Sequence, residues 1–311
     1  MNTAFKIGHY TDEKNITGCT VILCPEDTTA SCHIFGSAPG SRETALLAPQ
    51  RKVNGIQALL LTGGSAFGLD AAAGVVKYLE EKNLGYPTAY GNIPLVSAAV
   101  IFDRNIGNPQ SRPIAENAYQ ACLEAKSDFG KMGSIGAGTG ATVGKWAGLE
   151  KAMKGGIGIS SVKRGNIHIT AISVINAVGD IIDNHGEIVA GAHDSKGNFL
   201  AATGADQRWE APQTGLNENT VLSAVLCNAK LSKLEVYTLA CRAQNGFARA
   251  IIPASTSYDG DVIFALASGS EKGSTDMIYE MAAEAVRESI VTGVQSAQSL
   301  GGIPSCNNFK K

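Results

Sequence analysis

One short segment constrains the fold of this chain more than any other. The polar loop 210–218 ends at Asn219-Thr220, and the strand-like run Val221–Cys227 begins directly after it. A short, mostly apolar run of this kind is typical of a β-strand that is buried in a core. Thr220 therefore opens a buried strand and brings a hydroxyl group to its first position.

A cut in the peptide bond before Thr220 would turn this residue into an unusual catalyst. The new α-amine would lie beside the hydroxyl of the same residue, and an unperturbed α-amine has a pKa of about 7.7–8.0. It could act as the general base for that hydroxyl, so no histidine would be needed. An acidic turn, Asp259-Gly260-Asp261, follows downstream and leads into a second apolar strand, Val262–Leu266.

The rest of the chain alternates between strand-like and helix-like segments, and no Pro/Ser-rich linker divides it. The periodicity predicts strands over 18–24, 28–35, 56–62, 95–102, 157–161, 167–177 and 246–253, and helices over 71–82, 114–127, 231–245 and 275–300. The first two strands form a hairpin-like pair, as do 157–161 and 167–177. We expect a single α/β domain over residues 1–311, with packed sheets inside and helices outside.

The composition excludes several classes of protein. The net charge is −2 without a basic run, and aromatic residues make up only 6%, so a nucleic-acid partner is not expected. No apolar stretch reaches the roughly 18 residues of a membrane span, and the N-terminus lacks the pattern of a secretion signal. The five histidines show no ligand spacing, so we expect no metal and no other cofactor. The seven cysteines include no CxxC motif and indicate buried, reduced thiols in a cytoplasmic protein.

A glycine-rich turn lies between the predicted strand 56–62 and the helix after it. Gly63-Gly64-Ser65-Ala66-Phe67-Gly68 resembles the nucleophile elbow of serine hydrolases, but Phe67 stands where the second glycine should be. A tight turn that lines a site with backbone N–H groups fits Ser65 better than a role in a catalytic triad.

A second glycine-rich segment, Gly136–Lys145, meets neither the spacing of a phosphate-binding loop nor that of a dinucleotide-binding fingerprint. Lys145 has two interpretations. In an apolar surround its pKa would be lowered, or it would donate to a developing oxyanion. Alternatively, it is a surface lysine at the end of a loop.

Several motifs together resemble one family over nearly the whole chain and in the same order. They are Pro39-Gly-Ser-Arg-Glu-Thr44, Leu61–Asp70, Gly136–Lys145, Val174–Asp180, Asn219-Thr220 and Asp259-Gly-Asp261. The chain is similar to the L-aminopeptidase/D-esterase family of self-processing N-terminal-nucleophile hydrolases, which includes β-peptidyl aminopeptidases and nylon-oligomer hydrolases. The resemblance implies a four-layer α/β/β/α sandwich. It also implies self-cleavage into residues 1–219 and 220–311 and assembly of the processed pairs into a homo-oligomer, often a tetramer.

The resemblance also assigns roles to particular residues. It implies that Thr220 is the nucleophile, that Asp259 and Asp261 orient its amine and hydroxyl, and that Asn176 and Lys145 lie near the reacting carbonyl. The combination of one threonine with two aspartates resembles the nylon-oligomer-hydrolase members. Aminopeptidase members often have a serine nucleophile and a Ser/Glu pair instead.

Two further positions are candidates for contact with the substrate. Phe102 stands where some members of the family have a tyrosine whose hydroxyl assists the oxyanion, and Ser65 lies in the glycine-rich turn. Phenylalanine lacks that hydroxyl, so such assistance is not expected from Phe102.

The sequence therefore predicts an amide hydrolase that acts on a small peptide, or on an oligomer of ω-amino acids, through an acyl-enzyme. Two alternatives remain at this point. One is an acyltransferase of the ornithine-acetyltransferase type, which would pass the acyl group to an amine rather than to water. The other is an unprocessed relative without catalytic activity.

Overall fold

The computed structural model describes residues 4–203 and 219–309. Its strands, in chain order, are β1 (Lys6–Asp12), β2 (Thr17–Leu23), β3 (Thr29–Ile34), β4 (Ser41–Arg42), β5 (Ala58–Thr62), β6 (Tyr86–Thr88), β7 (Gly91–Ile93), β8 (Val96–Val100), β9 (Thr142–Val143), β10 (Met153–Lys154), β11 (Gly156–Arg164), β12 (Ile167–Asn176), β13 (Asp180–Ile182), β14 (Ile188–Ala190), β15 (Thr220–Ala229), β16 (Ile251–Ile252) and β17 (Val262–Glu271). Its α-helices are α1 (Ala72–Glu81), α2 (Ala115–Leu123), α3 (Lys233–Ala243), α4 (Asn245–Ala248) and α5 (Thr275–Gln295).

Two five-stranded sheets form the centre of the molecule. The first sheet has the order β1-β2-β5-β8-β4, and the second has the order β11-β12-β15-β17-β3. Most neighbouring strands are antiparallel, whereas β5 pairs with β8 and β15 pairs with β17 in parallel. The strand that begins at Thr220 therefore lies in the middle of the second sheet, between β12 and β17.

The two faces of β15 explain why its sequence is apolar almost throughout. Leu222, Ala224 and Leu226 pack into the core between the two sheets. Val221 and Val225, which alternate with them, pack on the other side against helices α3 and α5. Successive side chains of a strand point to opposite faces, so both sets are buried because both faces of the sheet are covered.

Helices cover the outer face of each sheet. Helices α1 and α2 pack on the first sheet through buried residues that include Val75, Leu79 and Ala118. Helices α3 and α5 pack on the second sheet, with Leu239 and Met281 among the contacts. The layers therefore follow the order α/β/β/α, which confirms the predicted four-layer sandwich.

The predicted hairpin over 18–24 and 28–35 is wrong. Both segments are strands, but β2 pairs with β1 and β5 in the first sheet, whereas β3 pairs with β17 at the edge of the second. The connection between them contains Pro25 and crosses from one sheet to the other. Closeness in sequence therefore misled the prediction, because the partner of β3 lies near the other end of the chain.

The predicted strand over 246–253 is also largely wrong. The short helix α4 occupies its first part, where it buries Phe247, and only Ile251–Ile252 is a strand. The last long helix begins at Thr275, with Ser274 at the N-cap position, and it ends at Gln295 rather than near residue 300. The other predicted strands and helices lie within a few residues of their predicted ends.

The cysteines behave as the composition indicated. All seven lie in the described residues as free thiols, and five of them are buried. Among the described residues, no helix combines the length and the apolar character that a membrane crossing requires.

Candidate functional site

The Asn219-Thr220 junction is buried at the start of a central strand. Thr220 is the first residue of β15 and lies opposite Asn176, the last residue of β12. The side chains of Asn219 and Thr220 are only 1% and 6% exposed. The bond between them is therefore held by the sheet itself, and an external protease would have poor access to it.

Two hydrogen-bond donors meet at the carbonyl oxygen of Asn219. The Thr220 hydroxyl donates to this oxygen at 2.5 Å, and the backbone N–H of Gly260 donates to it at 2.7 Å. The Asn219 N–H in turn donates to the Tyr258 carbonyl at 3.2 Å. The carbonyl group is thus fixed beside the hydroxyl of the next residue, and a backbone donor already binds the oxygen that would take up negative charge in a nucleophilic attack.

Gly260 can approach this closely only because it lacks a side chain. A β-carbon built on Gly260 would lie 2.9 Å from the Thr220 hydroxyl oxygen and 2.5 Å from the Ala38 carbonyl oxygen. Both distances are shorter than a carbon atom tolerates, so any larger residue would have to shift the turn. In the sequence, Gly260 is recognisable only as part of an acidic turn. The glycine between two candidate acids was the available signal.

The two aspartates of this turn are buried, at 3% exposure for Asp259 and 2% for Asp261. One oxygen of Asp261 accepts the N–H of Val221 at 2.8 Å, and the other accepts the Ser255 hydroxyl at 3.3 Å. One oxygen of Asp259 accepts both the N–H and the hydroxyl of Thr256 at 2.7 Å. An ordinary solvated Asp-Gly turn is therefore excluded, since Asp261 is tied to the residue after Thr220.

Burial raises the pKa of both carboxyls above the ordinary value. For Asp261, desolvation is the main cause, and the neighbouring charge of Asp259 raises its pKa further. For Asp259, desolvation again raises the pKa, while the hydrogen bonds from Thr256 and the positive charge of Lys145 oppose the shift. Two coupled acids in a buried site titrate as a pair, so one of them holds its proton well above the usual range.

Asn176 connects Thr220 to Lys145. The Lys145 ammonium donates to the side-chain oxygen of Asn176 at 2.9 Å and to its backbone carbonyl at 3.0 Å. The Thr142 N–H donates to the same side-chain oxygen at 3.1 Å, and the Asn176 amide nitrogen donates to the Phe102 carbonyl at 3.0 Å. Lys145 is only 2% exposed, so the interpretation as a surface lysine is wrong.

Phe102 and Ser65 lie beside this network but take part in it differently. Phe102 contributes its backbone carbonyl to Asn176. Ser65 has a left-handed backbone with φ of 54°, and its N–H donates to the Ile101 carbonyl next to Phe102. Within the described residues, no hydrogen bond joins the Ser65 hydroxyl to the groups around Thr220, and a role of Ser65 in substrate binding stays a prediction.

The site thus combines a hydroxyl and a backbone N–H at the Asn219 carbonyl with two buried carboxylates in the adjoining turn. Asn176 lies opposite Thr220 in the sheet, and Lys145 is hydrogen-bonded to Asn176. In the part of the chain that the structure describes, no three His, Cys, Asp or Glu side chains are grouped as metal ligands. Such a set can activate a hydroxyl for attack on an amide and stabilise the oxyanion that forms.

Comparisons with known proteins agree on one family. The profile of peptidase family S58 matches residues 3–306. An uncharacterised aminopeptidase of Mycobacterium tuberculosis (strain ATCC 25618 / H37Rv) is 36% identical over 312 residues, which covers 93% of this chain and 88% of the relative. A 6-aminohexanoate-oligomer endohydrolase of Kocuria sp. (strain KY2) is 32% identical over 273 residues, which covers 83% and 70% of the two chains.

Solved structures share the fold. The L-aminopeptidase D-Ala-esterase/amidase from Ochrobactrum anthropi, described as a new variant of the Ntn-hydrolase fold, superposes with a TM-score of 0.74 at 19% identity. The match covers 97% of this chain and 86% of that one. A Burkholderia sp. β-aminopeptidase gives a TM-score of 0.72 at 18% identity and covers 95% and 85% of the two chains.

Proposed function

Because the chain belongs to peptidase family S58 and is a hydrolase of peptide or amide bonds, we propose that it cuts itself between Asn219 and Thr220 and then uses Thr220 as its nucleophile. One observation carries this proposal. The Thr220 hydroxyl and the Gly260 N–H both contact the carbonyl oxygen of Asn219, at 2.5 and 2.7 Å. The bond to be cut is therefore the one beside the nucleophile.

In the first reaction, the Thr220 hydroxyl oxygen attacks the Asn219 carbonyl carbon. The oxygen of that carbonyl becomes an oxyanion, which the Gly260 N–H stabilises. The C–N bond then breaks, and the hydroxyl proton ends on the Thr220 nitrogen, so the two parts are joined by an ester. Water hydrolyses the ester and releases residues 1–219 with a carboxylate and residues 220–311 with a free α-amine.

In the second reaction, the new amine takes the proton of the Thr220 hydroxyl as its oxygen attacks a substrate amide. Asp261 binds the N–H of the following residue, Val221, which supports its role in orienting the amine and hydroxyl. Asn176 lies opposite Thr220 in the sheet, which supports a role for its amide nitrogen as a donor to the substrate oxyanion. The acyl-enzyme that results is hydrolysed by water.

The contacts of Lys145 support an indirect role. The Lys145 ammonium donates to both the side-chain oxygen and the backbone oxygen of Asn176. A carboxamide whose oxygen is occupied by Lys145 and Thr142 must turn its nitrogen away from them. We therefore assign Lys145 to the orientation of Asn176.

The proposed substrates are short chains joined by amide bonds. One relative is named an aminopeptidase and another a 6-aminohexanoate-oligomer endohydrolase, and both names describe hydrolysis of such bonds. These names support water, rather than an amine, as the acyl acceptor. Purified protein should be screened against p-nitroanilides, β-peptides and ω-amino-acid oligomers, with added amines to measure any acyl transfer.

We also propose that the processed pairs form a homo-oligomer, a tetramer, in the cytoplasm. The seven free thiols support a reducing compartment. Light scattering after size-exclusion chromatography gives the mass of the assembly directly, and a mass of one processed pair would contradict the tetramer.

Mass spectrometry of the purified chain tests self-cleavage. We expect two masses, for residues 1–219 and 220–311, and N-terminal sequencing of the smaller piece should begin Thr-Val-Leu. Thr220→Ala should remain a single inactive chain, since both reactions need the same oxygen. A matched control is Thr170→Ala, because Thr170 is also buried in the second sheet but its hydroxyl bonds Ser161. The control should cut itself, and normal cleavage of Thr220→Ala would show that an external protease is responsible.

A further inference from the structure

Two buried charged side chains have no part in the mechanism above. Asp103 is 2% exposed and Lys154 is 0% exposed. Burying a charge is costly unless it is paired and hydrogen-bonded. Their contacts show that both lie next to the segments that bind the side chain of Asn176.

Asp103 anchors the segment on one side of Asn176. Its two carboxylate oxygens accept the Gly64 N–H and the Thr17 hydroxyl, both at 2.7 Å. A β-carbon on Gly63 would lie 2.0 Å from one of these oxygens, so the backbone of the glycine-rich turn packs directly against the carboxylate. The residue before Asp103 is Phe102, whose carbonyl accepts the amide nitrogen of Asn176.

Lys154 anchors the segment on the other side. Its ammonium donates to the carbonyl oxygens of Thr139 and Ala141, at 2.8 and 2.6 Å. In the ribbon formed by β9 and β10, Lys154 is also the direct partner of Thr142. The Thr142 N–H donates to the side-chain oxygen of Asn176.

The two anchors meet at Gly140, which lies between the two carbonyls that Lys154 binds. A β-carbon on Gly140 would lie 2.4 Å from the β-carbon of Asp103 and 2.7 Å from one of its carboxylate oxygens. Burial raises the pKa of Asp103 and lowers the pKa of Lys154 to about 7, and each charge partly offsets the shift of the other. The opposite charges therefore stabilise each other across one glycine.

We propose that Asp103 and Lys154 are positioning residues that fix the direction of the Asn176 amide, by holding its acceptor Phe102 and its donor Thr142. This inference rests on the proposed function, in which Asn176 donates to the substrate oxyanion. That contact strengthens as the oxyanion develops, so a misaligned amide lowers kcat more than it raises KM.

The test uses Lys154→Met, Asp103→Asn and the double variant, each compared with wild type as processed protein. We expect each single variant to lose about 10- to 100-fold in kcat with KM within about two-fold, the scale on which a misplaced catalytic group acts. The double variant should lose less than the two single losses multiplied together, because it leaves no unpaired buried charge. All three should still cut themselves, since the Gly260 N–H binds the Asn219 carbonyl oxygen and these substitutions leave Gly260 in place.

Lys233→Met is the matched control. Lys233 is also a largely buried lysine, and its ammonium donates to the backbone carbonyls of Leu46, Arg51 and Val53, away from Asn176. It should lower the melting temperature as Lys154→Met does and leave kcat unchanged. If Lys154→Met and Lys233→Met lose stability alike and both keep full kcat, Lys154 is only structural and the proposal is wrong.

If Lys154→Met or Asp103→Asn does not fold, a milder variant tests the same positioning role. Thr17→Val keeps the shape of the side chain and removes one donor to Asp103. We expect a loss of about 3- to 10-fold in kcat, in line with one misaligned hydrogen bond. Unchanged kcat in Thr17→Val, or a folded Lys154→Met chain that stays uncut, overturns the proposal. Failure of the wild type to cut itself would instead contradict the proposed function.

Discussion

In two acidic turns of this protein an aspartate accepts backbone N–H groups, and yet the pKa values of the two aspartates shift in opposite directions. At the surface, one oxygen of Asp183 accepts the N–H groups of His185 and Glu187, which lower the pKa of Asp183. At the site, Asp261 also accepts a backbone N–H, yet burial raises its pKa. The same type of contact therefore has a different result because desolvation outweighs it in one turn and not in the other.

The position of a turn in the sheet, and not the turn itself, determines whether its aspartates become part of the site. Asp259-Gly260-Asp261 immediately precedes β17, the parallel neighbour of β15, so the turn lies against Asn219 and Thr220. The surface turn at Asp183 instead connects the short strands β13 and β14, which pair with each other in a separate, smaller sheet. The following predictions test whether this difference in position governs cleavage, turnover, pH dependence and stability.

The largest effect is expected from the glycines of the two turns. Gly260→Ala places a carbon against the Thr220 hydroxyl and the Ala38 carbonyl, so self-cleavage should slow by about 100-fold or more, as when an oxyanion donor is lost. In the surface turn, the β-carbon of Gly186→Ala would lie in open space, but the backbone at this position has a φ of 82°. This variant should therefore cost about 1 kcal/mol of stability and leave cleavage normal. Band intensities on denaturing gels against time measure both rates. If both variants cut themselves at the same rate, the position of the turn would not control cleavage.

The next effect concerns the carboxylates. Asp261→Asn and Asp259→Asn keep the shape and remove a charge, and each should lower kcat on the order of 100-fold, since groups that orient a nucleophile act on this scale. Asp183→Asn should keep kcat within about two-fold of wild type, because the Asp183 carboxylate accepts N–H groups of its own exposed turn. Each variant must first be shown to be folded and processed. If Asp259→Asn and Asp261→Asn also kept full kcat, the buried pair would be no more than a turn.

A smaller effect is expected in the pH dependence of turnover. The negative charge near the new Thr220 amine favours its protonated form and raises its pKa, so wild-type kcat should rise as pH climbs through that pKa. Asp259→Asn removes one charge and should move the rising limb to lower pH by about one unit. Asp183→Asn should leave the limb in place. A limb that stays fixed in Asp259→Asn would show that the pair does not face the amine.

The smallest effect is expected in thermal stability, with opposite signs in the two turns. The raised pKa of Asp261 means that the folded state holds more protons than the unfolded state above pH 3.8, so its contribution to stability falls as pH rises through that window. The lowered pKa of Asp183 contributes stability above pH 3.8, and this is lost as pH falls through its folded pKa.

Melting temperatures in the Thr220→Ala background, which keeps every sample a single chain, measure this difference. Between about pH 4 and 7, Asp261→Asn should gain melting temperature relative to its parent, and the gain should grow with pH, because the variant has no buried carboxyl to ionise. Asp183→Asn should show a small loss that disappears at the lowest pH. If the melting temperature changed in the same direction in both variants, burial would not explain the difference between the two turns.

The sequence predicted the parts of the fold that local patterns encode. The alternation in β12 and the apolar run of β15 identified both strands, and helix α1 followed from the turn before it. The pairing of β3 with β17 was not predictable, because it joins distant parts of the chain. The segment 246–253 was wrongly predicted as a strand because an apolar residue such as Phe247 can be buried from a short helix as well as from a strand.

The candidate site shows the same division. Thr220, Asp259 and Asp261 stand at strand ends and in family motifs, so sequence alone proposed them. The Gly260 N–H was missed, although the glycine between two candidate acids was a signal, because the residue type does not show which carbonyl a backbone N–H binds. Lys154 stands among glycines and apolar residues, and only the fold shows that its ammonium reaches the Thr139 and Ala141 carbonyls.

The central position of β15 has a consequence for the folding of the mature protein. Residues 220–311 would supply β15 and β17, which pair with β12 on one side and β3 on the other. While the chain is intact, these strands are recruited within one molecule. After the cut, a denatured sample has to bring two polypeptides together, so its recovery becomes second order in protein concentration. The proposed self-cleavage would thus turn a folding reaction into an assembly reaction.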